Sequence, residues 1–413
     1  MPKQFLTEIP RPVPVYGEYD VVVVGGGVAG VAAALAAART AHTKVCLVEK
    51  ACALGGLATL ANVVVYLPLC DGCGRQVIGG VAEELLRLSV ADTPESVLEL
   101  HLEPIPPCWN ADGTIVERRN HRFRASFNPI FFMRRLELAV QRAKVKLLFD
   151  SRFAGVIKEG KAVRAILLET KSGRLALKCR AVIDATGDAD VCAAAGEKTV
   201  SEKLNSRNAW FYYSEGVAAV RLVAWTDDYR STHFGGNPAR LPVYRGDNVD
   251  SVTRMCLDNR EAMLAWLADR QKETDQRLYP LCAPTIPTCR MSRRLSARVT
   301  IRESDDHRWF ESTVAMAGDW RRPGPIYCIP LEALAGVSTA NLLAAGRCLS
   351  ATGEAWDALR AIPVCAVTGE AAGVAAAMLA HDQTASRLSD LDVPALQRVL
   401  RRRHAILDEQ LVK

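Results

Sequence analysis

A run of four valines that ends in a glycine triplet sets the narrowest limits on the fold of this chain. Tyr19-Asp20-Val21-Val22-Val23-Val24 is apolar and β-branched on both faces, as in a parallel-sheet strand buried on both sides. It runs into Gly25-Gly26-Gly27-Val28-Ala29-Gly30, which fits G-x-G-x-x-G, and the spacing predicts a helix over 28–39. The three glycines of the pattern serve different ends. Gly25 allows the tight turn, Gly27 lets a pyrophosphate approach the backbone, and Gly30 lets helix and strand pack closely. Val28 and Ala29 open the helix, whose N-terminal N–H groups and partial positive charge suit phosphate. A second strand over 44–49 ends on Glu49, 19 residues after Gly30, where a carboxylate grips a ribose diol. Strand, glycines, helix, strand and acid in this order predict a dinucleotide site.

Residues 21–38 are eighteen uncharged positions, close to the length of a membrane span. The glycines break that run in its middle, so strand, turn and buried helix explain it and no membrane span is expected. With 49% hydrophobic and 24% charged residues, the chain can bury a core and is not a disordered polymer. A net charge of +6 over 413 residues does not argue for nucleic acid. The basic cluster Arg401-Arg402-Arg403-His404 reads as a solvated helix face. The thirteen cysteines follow a start without an apolar h-region, which predicts reduced thiols and a cytoplasmic protein.

Lys50 follows Glu49, and a second glycine turn comes shortly after: Gly55-Gly56-Leu57-Ala58-Thr59. The NAD fingerprint does not require it, whereas a longer cofactor such as FAD uses a second backbone loop. Here the sequence resembles the FAD-dependent oxidoreductases of the glutathione-reductase-like superfamily, within a broad branch. The resemblance rests on five blocks in the family's order: Gly55 to Thr59, Cys70-Asp71-Gly72-Cys73-Gly74, Ala185-Thr186-Gly187-Asp188, Arg290-Met291-Ser292-Arg293-Arg294, and Ala345-Gly346-Arg347. It implies an α/β fold: a Rossmann-like FAD-binding domain with parallel sheet plus β-meander, and a mixed α+β substrate or cap domain.

Residues 144–150 read as a strand, and 153–158, 162–170 and 174–184 as the meander, with turns at Glu159-Gly160 and Ser172-Gly173. The last meander strand delivers Ala185, Thr186, Gly187 and Asp188 to the cofactor, and the resemblance places backbone near Phe153 at the adenine. From 197 to 325 aromatic residues and arginines become frequent, with a long helix near 250–275. The expected division is FAD-binding parts at 1–100, 128–196 and 326–382. A small cap insertion at 101–127 (hairpin turn at Asn110-Ala111-Asp112-Gly113), a substrate or cap domain at 197–325 and a helical tail at 383–413 complete it, the tail read as one surface helix over 393–413. A strand at 341–345 leads to Gly346 and Arg347, which the resemblance places at the flavin or its phosphates. Ile362-Pro363 opens the next helix, proline suiting a first turn whose N–H needs no partner. In similar proteins that N-terminus points at the flavin, where its dipole stabilises negative charge.

No second G-x-G-x-x-G follows a strand, so no dedicated Rossmann site for NAD(P)H is expected. Cys70 and Cys73 form a C-x-x-C that admits three readings: a zinc site, weak because no second pair at suitable spacing completes four ligands, a redox disulfide, and a plain family loop. Arg290 and Arg293, with Arg294 beside them, suit a carboxylate or phosphate of the substrate, or a clamp between cap and FAD domain. Arg290, Arg293 and Cys73 are the candidate catalytic residues, while Glu354, Asp357 and His307 read rather as ordinary polar residues. Covalent FAD would need a residue such as His42, His101, His121 or Cys348 beside the ring.

The expectation is an FAD-dependent oxidoreductase exchanging a hydride between flavin N5 and a small-molecule substrate. One alternative is a fumarate-reductase-like reduction of an activated double bond. Another is an FAD-binding electron-transfer subunit or scaffold with a protein partner. Homo-oligomer formation is left open, and the generic glycine start also admits tRNA modification.

Overall fold

The computed structural model describes residues 6, 9–91, 102–110, 113–217, 219–227, 242–382 and 386–413. Its main sheet has seven strands. Val15–Val24 lies between Val45–Val48 and Gly173–Asp184, parallel to both, and Lys146–Leu148 extends the edge beside Val45–Val48. The strand Gly173–Asp184 is shared by two arrangements. Its first half pairs antiparallel with Ala162–Thr170, followed by Arg152–Glu159, as the meander; its end, Val182 to Asp184, pairs parallel with Leu342–Ala344.

Side chains of the first strand alternate between two cores. Val21 and Val23 join the larger one with the helices Val28–Ala38 and Ile362–His381. Val22 and Val24 join a second core, to which the meander contributes Val163, Ile166 and Leu168. Both faces of the strand are therefore dry, which is why it reads as an unbroken valine run.

The helices Val28–Ala38 and Ile362–His381 cross closely because small residues line the contact. A Cβ on Gly369 would lie 2.2 Å from the Ala29 carbonyl oxygen, and one on Gly373 2.3 Å from that of Ala33. Ile362–His381 is long and apolar enough to cross a membrane, yet 83% of its most apolar window is buried inside this core.

A three-stranded antiparallel sheet, Ala219–Thr226, Asn208–Glu215 and Leu278–Cys282, carries the aromatic region. Phe211 and Tyr213 face the long helix Val249–Gln271 and pack against Trp266, whereas Trp210 and Leu222 face the main core.

Three expectations need correction. The segment around residue 110 is not flanked by hairpin strands. A 3-10 turn, Pro107–Trp109, precedes it, and the helix Ile115–Asn120 follows, started by a reciprocal capping box between Thr114 and Glu117. Ala111, Asp112 and His101 lie outside the described residues. The tail is not one helix: Val393–Arg402 ends at a left-handed turn (His404 φ 66°), and a short 3-10 segment, Glu409–Val412, comes later. Nor is its basic cluster merely solvated. Arg403 donates to the carbonyls of Ala36 (2.8 Å) and Arg39 (2.7 Å) and to the Thr40 hydroxyl (2.9 Å). A cation there meets the orphan carbonyls and negative end of the Val28–Ala38 helix.

Candidate functional site

At the C-terminal ends of the parallel strands, four chain segments meet. Gly25 adopts φ 108°, and a Cβ there would lie 2.4 Å from the Ala185 carbonyl oxygen, so only glycine lets this turn cross the Ala185–Gly187 turn. Gly30 sits against the Gly25 carbonyl, which a Cβ would approach to 1.7 Å. Gly27 differs: a Cβ there would meet nothing within 4 Å. Gly27 is the N-cap of Val28–Ala38, and no side chain caps that helix. The N–H groups of Val28, Ala29 and Gly30 thus stand at an open cradle of phosphate-binding type.

The second glycine turn lies directly against the first. Gly55 pairs with Gly27 and donates to the Gly26 carbonyl at 2.9 Å, and both Gly55 (φ 103°) and Gly56 (φ 55°) need left-handed backbone. Thr59 holds the turn by donating to Leu54 O at 2.6 Å; Leu57 and Ala58 belong to the short helix that follows, Leu57–Leu60. Glu49 is buried at the end of its strand, its carboxylate accepting the N–H groups of Gly26 (2.6 Å) and Ala51 (2.7 Å). A carboxylate has about four acceptor positions, which leaves room for a diol. Lys50 is exposed, and the Phe153 side chain packs against the second core next to residues 148–151, which bond to 49–51.

On the opposite side, Gly346 (φ 75°) fits between two helix starts. A Cβ there would lie 2.8 Å from Ala29 Cβ and 3.4 Å from the Cys365 sulfur. Cys365 is in the first turn of Ile362–His381, which also has no side-chain cap and carries Pro363 at its start. Two uncapped positive helix ends therefore converge on Gly346. Thr368 fixes the spacing: its hydroxyl accepts from Gly346 N at 3.0 Å and donates to Val364 O at 2.7 Å. Burial pushes the Cys365 thiol up to about 11, so it stays protonated at neutral pH.

The turn after the meander is shaped by Asp184. Its fully buried carboxylate accepts from Thr186 N, the Thr186 hydroxyl and Cys192 N, and burial raises its pKa. Gly187 continues with φ 78°.

Asp188 and Arg347 are bonded to each other and to the backbone. Arg347 donates to the carbonyls of Gly187 (2.6 Å) and Cys289 (2.5 Å) and pairs with Asp188 at 2.7 Å. Asp188 also accepts from the Ser292 hydroxyl. Arg293 donates to Asp188 O (2.8 Å) and pairs with Asp190 (2.5 Å). These groups form a latch between the 185–190 turn and the 289–293 segment. In this structure Arg347 and Asp188 bond protein to protein, and the contacts of Arg293 are those of a clamp. Arg294 is buried over the Trp356 ring, with Glu202 3.7 Å away. Arg290 reaches the Thr226 hydroxyl at 3.2 Å, on the sheet face that carries Trp210.

Cys70 and Cys73 are both free thiols in a turn organised by the buried Asp71, which accepts from Cys73 N (2.7 Å) and Arg75 N (3.0 Å) and pairs with Arg75 (2.7 Å). In this structure the C-x-x-C is a loop with both thiols reduced. Among the described residues no group of His, Cys, Asp and Glu could hold a metal ion. Glu354 and Asp357 pair with Arg321, and His307 with Asp306. His42 is exposed beyond the far end of Val28–Ala38, and Cys348 is buried with its thiol donating to Asp184 O.

Sequence reasoning missed Asp184, Thr368 and Asn62. Asp184 was signalled by an acid two residues before Thr186, the spacing of a local side-chain turn. Thr368 and Asn62 act across 22 and 148 residues and left no local trace.

Residues 20–277 and 248–400 match the model of a family described as FAD dependent oxidoreductase. No curated protein matches the chain. Among solved structures it is similar to the OxyS anhydrotetracycline hydroxylase from Streptomyces rimosus (12% identity, 48% of this chain and 37% of that one, TM-score 0.33). It is also similar to CabE, an aromatic hydroxylase from angucycline biosynthesis (13% identity, 94% and 66%, TM-score 0.43). A third is a geranylgeranyl bacteriochlorophyll reductase-like protein from Thermoplasma acidophilum (15% identity, 96% and 90%, TM-score 0.43). The chain spans less than two thirds of the length of either hydroxylase.

Proposed function

The chain belongs to the FAD dependent oxidoreductase family, and from that premise we propose an enzyme that oxidises or reduces a small molecule between the Leu57–Asn62 segment and the aromatic sheet. The observation that carries the reading is the convergence of two uncapped helix N-termini on Gly346, beside a glycine whose missing side chain leaves open space. Such a pair suits a cofactor with a diphosphate and a second electron-rich end. Bound there, FAD supplies two-electron chemistry by hydride exchange at flavin N5.

The chain's own residues supply position and electrostatics. Gly25, Gly27, Gly30, Gly55 and Gly56 give the backbone approach, and Glu49 offers acceptors to a ribose. The N-terminus of Ile362–His381 favours negative charge at the flavin end of the site. The substrate is placed by the cap. Asn62 donates to Trp210 O at 3.2 Å and lies 3.7 Å from the Cys282 sulfur, which ties the sheet to the loop below it. The sheet face carrying Trp210, Tyr212 and Leu222 excludes water from that side, and Arg290 at its Thr226 end orients an acidic group of the substrate.

The test is the visible spectrum of purified protein, repeated after acid precipitation. Flavin absorbance released into the supernatant as FAD supports the reading and permits anaerobic substrate screening by bleaching. Protein that is colourless and takes up no added FAD refutes it. A substrate panel run on Arg290→Ala then separates a reductase of acidic substrates, whose KM rises in the variant, from one of uncharged substrates, whose KM stays.

A further inference from the structure

On the cap sheet, the face turned away from the long helix carries a polar group that the proposed reaction leaves unused. Along Asn208–Glu215, Phe211 and Tyr213 are buried against that helix, while Trp210 and Tyr212 take the other face, half-buried. Cys282 lies directly across from Tyr212, so the two share this face. The Cys282 sulfur is 3.7 Å from the Asn62 amide nitrogen, and that amide donates to Trp210 O at 3.2 Å. Tyr212 therefore stands beside the segment that follows the Gly55-Gly56 turn, on the wall of the proposed substrate cleft. Its hydroxyl bonds to no described residue, yet it is not sealed from solvent. Burial, with the Cys282 thiol beside it, pushes the phenol up to about 12, so it holds its proton at neutral pH.

The neighbouring polar groups are committed or unsuited to proton transfer. Asn62, 3% exposed and in left-handed backbone (φ 56°), uses its amide on Trp210 O. Arg290 reaches the Thr226 hydroxyl. Thr226 pairs with Asn208 and Leu222 with Tyr212, four residues along the strand, or about 13 Å. A guanidinium also keeps its proton in proteins, so Arg290 orients and does not protonate.

Resting on the redox reading above, we propose that Tyr212 is the proton donor of that site, and that the site reduces a double bond conjugated to a carbonyl. The wall of Trp210 and Leu222 beside an uncharged donor suits an apolar acceptor, and conjugation makes its alkene carbon electron-poor enough to take hydride. The step balances. The carbon remote from the carbonyl gains a hydride from the reduced flavin, which loses two electrons. The alkene pair takes the Tyr212 proton at the adjacent carbon, and the double bond becomes single. The phenolate regains a proton from water, which its open hydroxyl position admits. A phenol that holds its proton so firmly is loaded for reduction rather than for proton abstraction.

FAD-loaded full-length protein, reduced by dithionite without oxygen, is mixed with carvone, and the return of flavin absorbance is followed. Wild type is expected to reoxidise at a rate that saturates with carvone, giving one dihydrocarvone epimer in excess. Tyr212→Phe removes a hydroxyl that bonds nothing, so flavin content and unfolding temperature stay. Its limiting rate falls about a hundredfold or more at an unchanged half-saturating concentration. Water then protonates from either side, and the epimer excess is lost. A variant as fast as wild type, or with the same epimer excess, overturns the proposal while the flavin reading stands. So does bound, reduced flavin that carvone fails to reoxidise. Protein that takes up no FAD overturns both readings together.

Discussion

An alanine methyl at Gly30 would lie 1.7 Å from the Gly25 carbonyl oxygen, whereas at Gly27 it would meet nothing. The two substitutions therefore separate folding from ligand binding. Gly30→Ala forces the first turn apart and is expected to lower the unfolding temperature or abolish soluble protein. Gly27→Ala is expected to fold normally and to lose FAD content, because its methyl occupies the phosphate cradle; thermal unfolding and the FAD-to-protein ratio check both. Glu370 gives a prediction of another kind. It is fully buried, accepts from Val81 N at 3.0 Å, and leaves its other carboxylate oxygen without a partner. Burial pushes its pKa up to about 7, against the nearby Arg403 and Arg39, with Glu84 adding to the rise. The folded state then holds a proton that the unfolded chain releases near pH 4.5. Stability from this group is fully present below about 4.5, falls as pH rises, and is lost above about 7. Glu370→Gln is expected to flatten that slope in denaturant titrations between about pH 5 and pH 7.5, and an unchanged slope would refute the assignment.

At the scale of elements, the glycine stripe of Ile362–His381 carries its close crossing with Val28–Ala38. Gly373→Ala is expected to cost about 1–3 kcal/mol in denaturant unfolding, since a methyl must push against the Ala33 carbonyl. The first strand, the meander and this helix were legible in the sequence for one reason: their signals are local. Valines on both faces, glycines at the hairpin turns and a proline in a first turn each act within a few residues. The helix Ile115–Asn120 had such a signal too, in Thr114 and Glu117, but the neighbouring Asp-Gly spacing suggested a hairpin instead. The tail was misread because nothing near Arg403 shows that its partners are Ala36, Arg39 and Thr40. The site divides along the same line: the glycines and Glu49 follow from spacing, whereas Arg347 finds Asp188 and Cys289 only through tertiary structure.

For the whole molecule, the latch of Asp188, Ser292, Arg293 and Arg347 joins the region after the meander to the region before the last strand. Asp188→Ala leaves the Arg347 guanidinium, 14% exposed, without its carboxylate. Breaking a buried pair in this way is expected to cost about 3 kcal/mol in unfolding free energy. It should also weaken FAD retention on dilution, because Gly187 loses its support; retention equal to wild type would show the latch to be structural alone. The crossing of Val28–Ala38 with Ile362–His381 has a consequence in time. A ribosome releases the first helix on the order of tens of seconds before its partner exists, at typical elongation rates. Through that interval the alanine-rich face is uncovered, and Gly346 and the second helix start are unmade. Flavin loading is therefore a late event in biogenesis, and the newborn N-terminal half exposes an apolar helix face before it can bind anything.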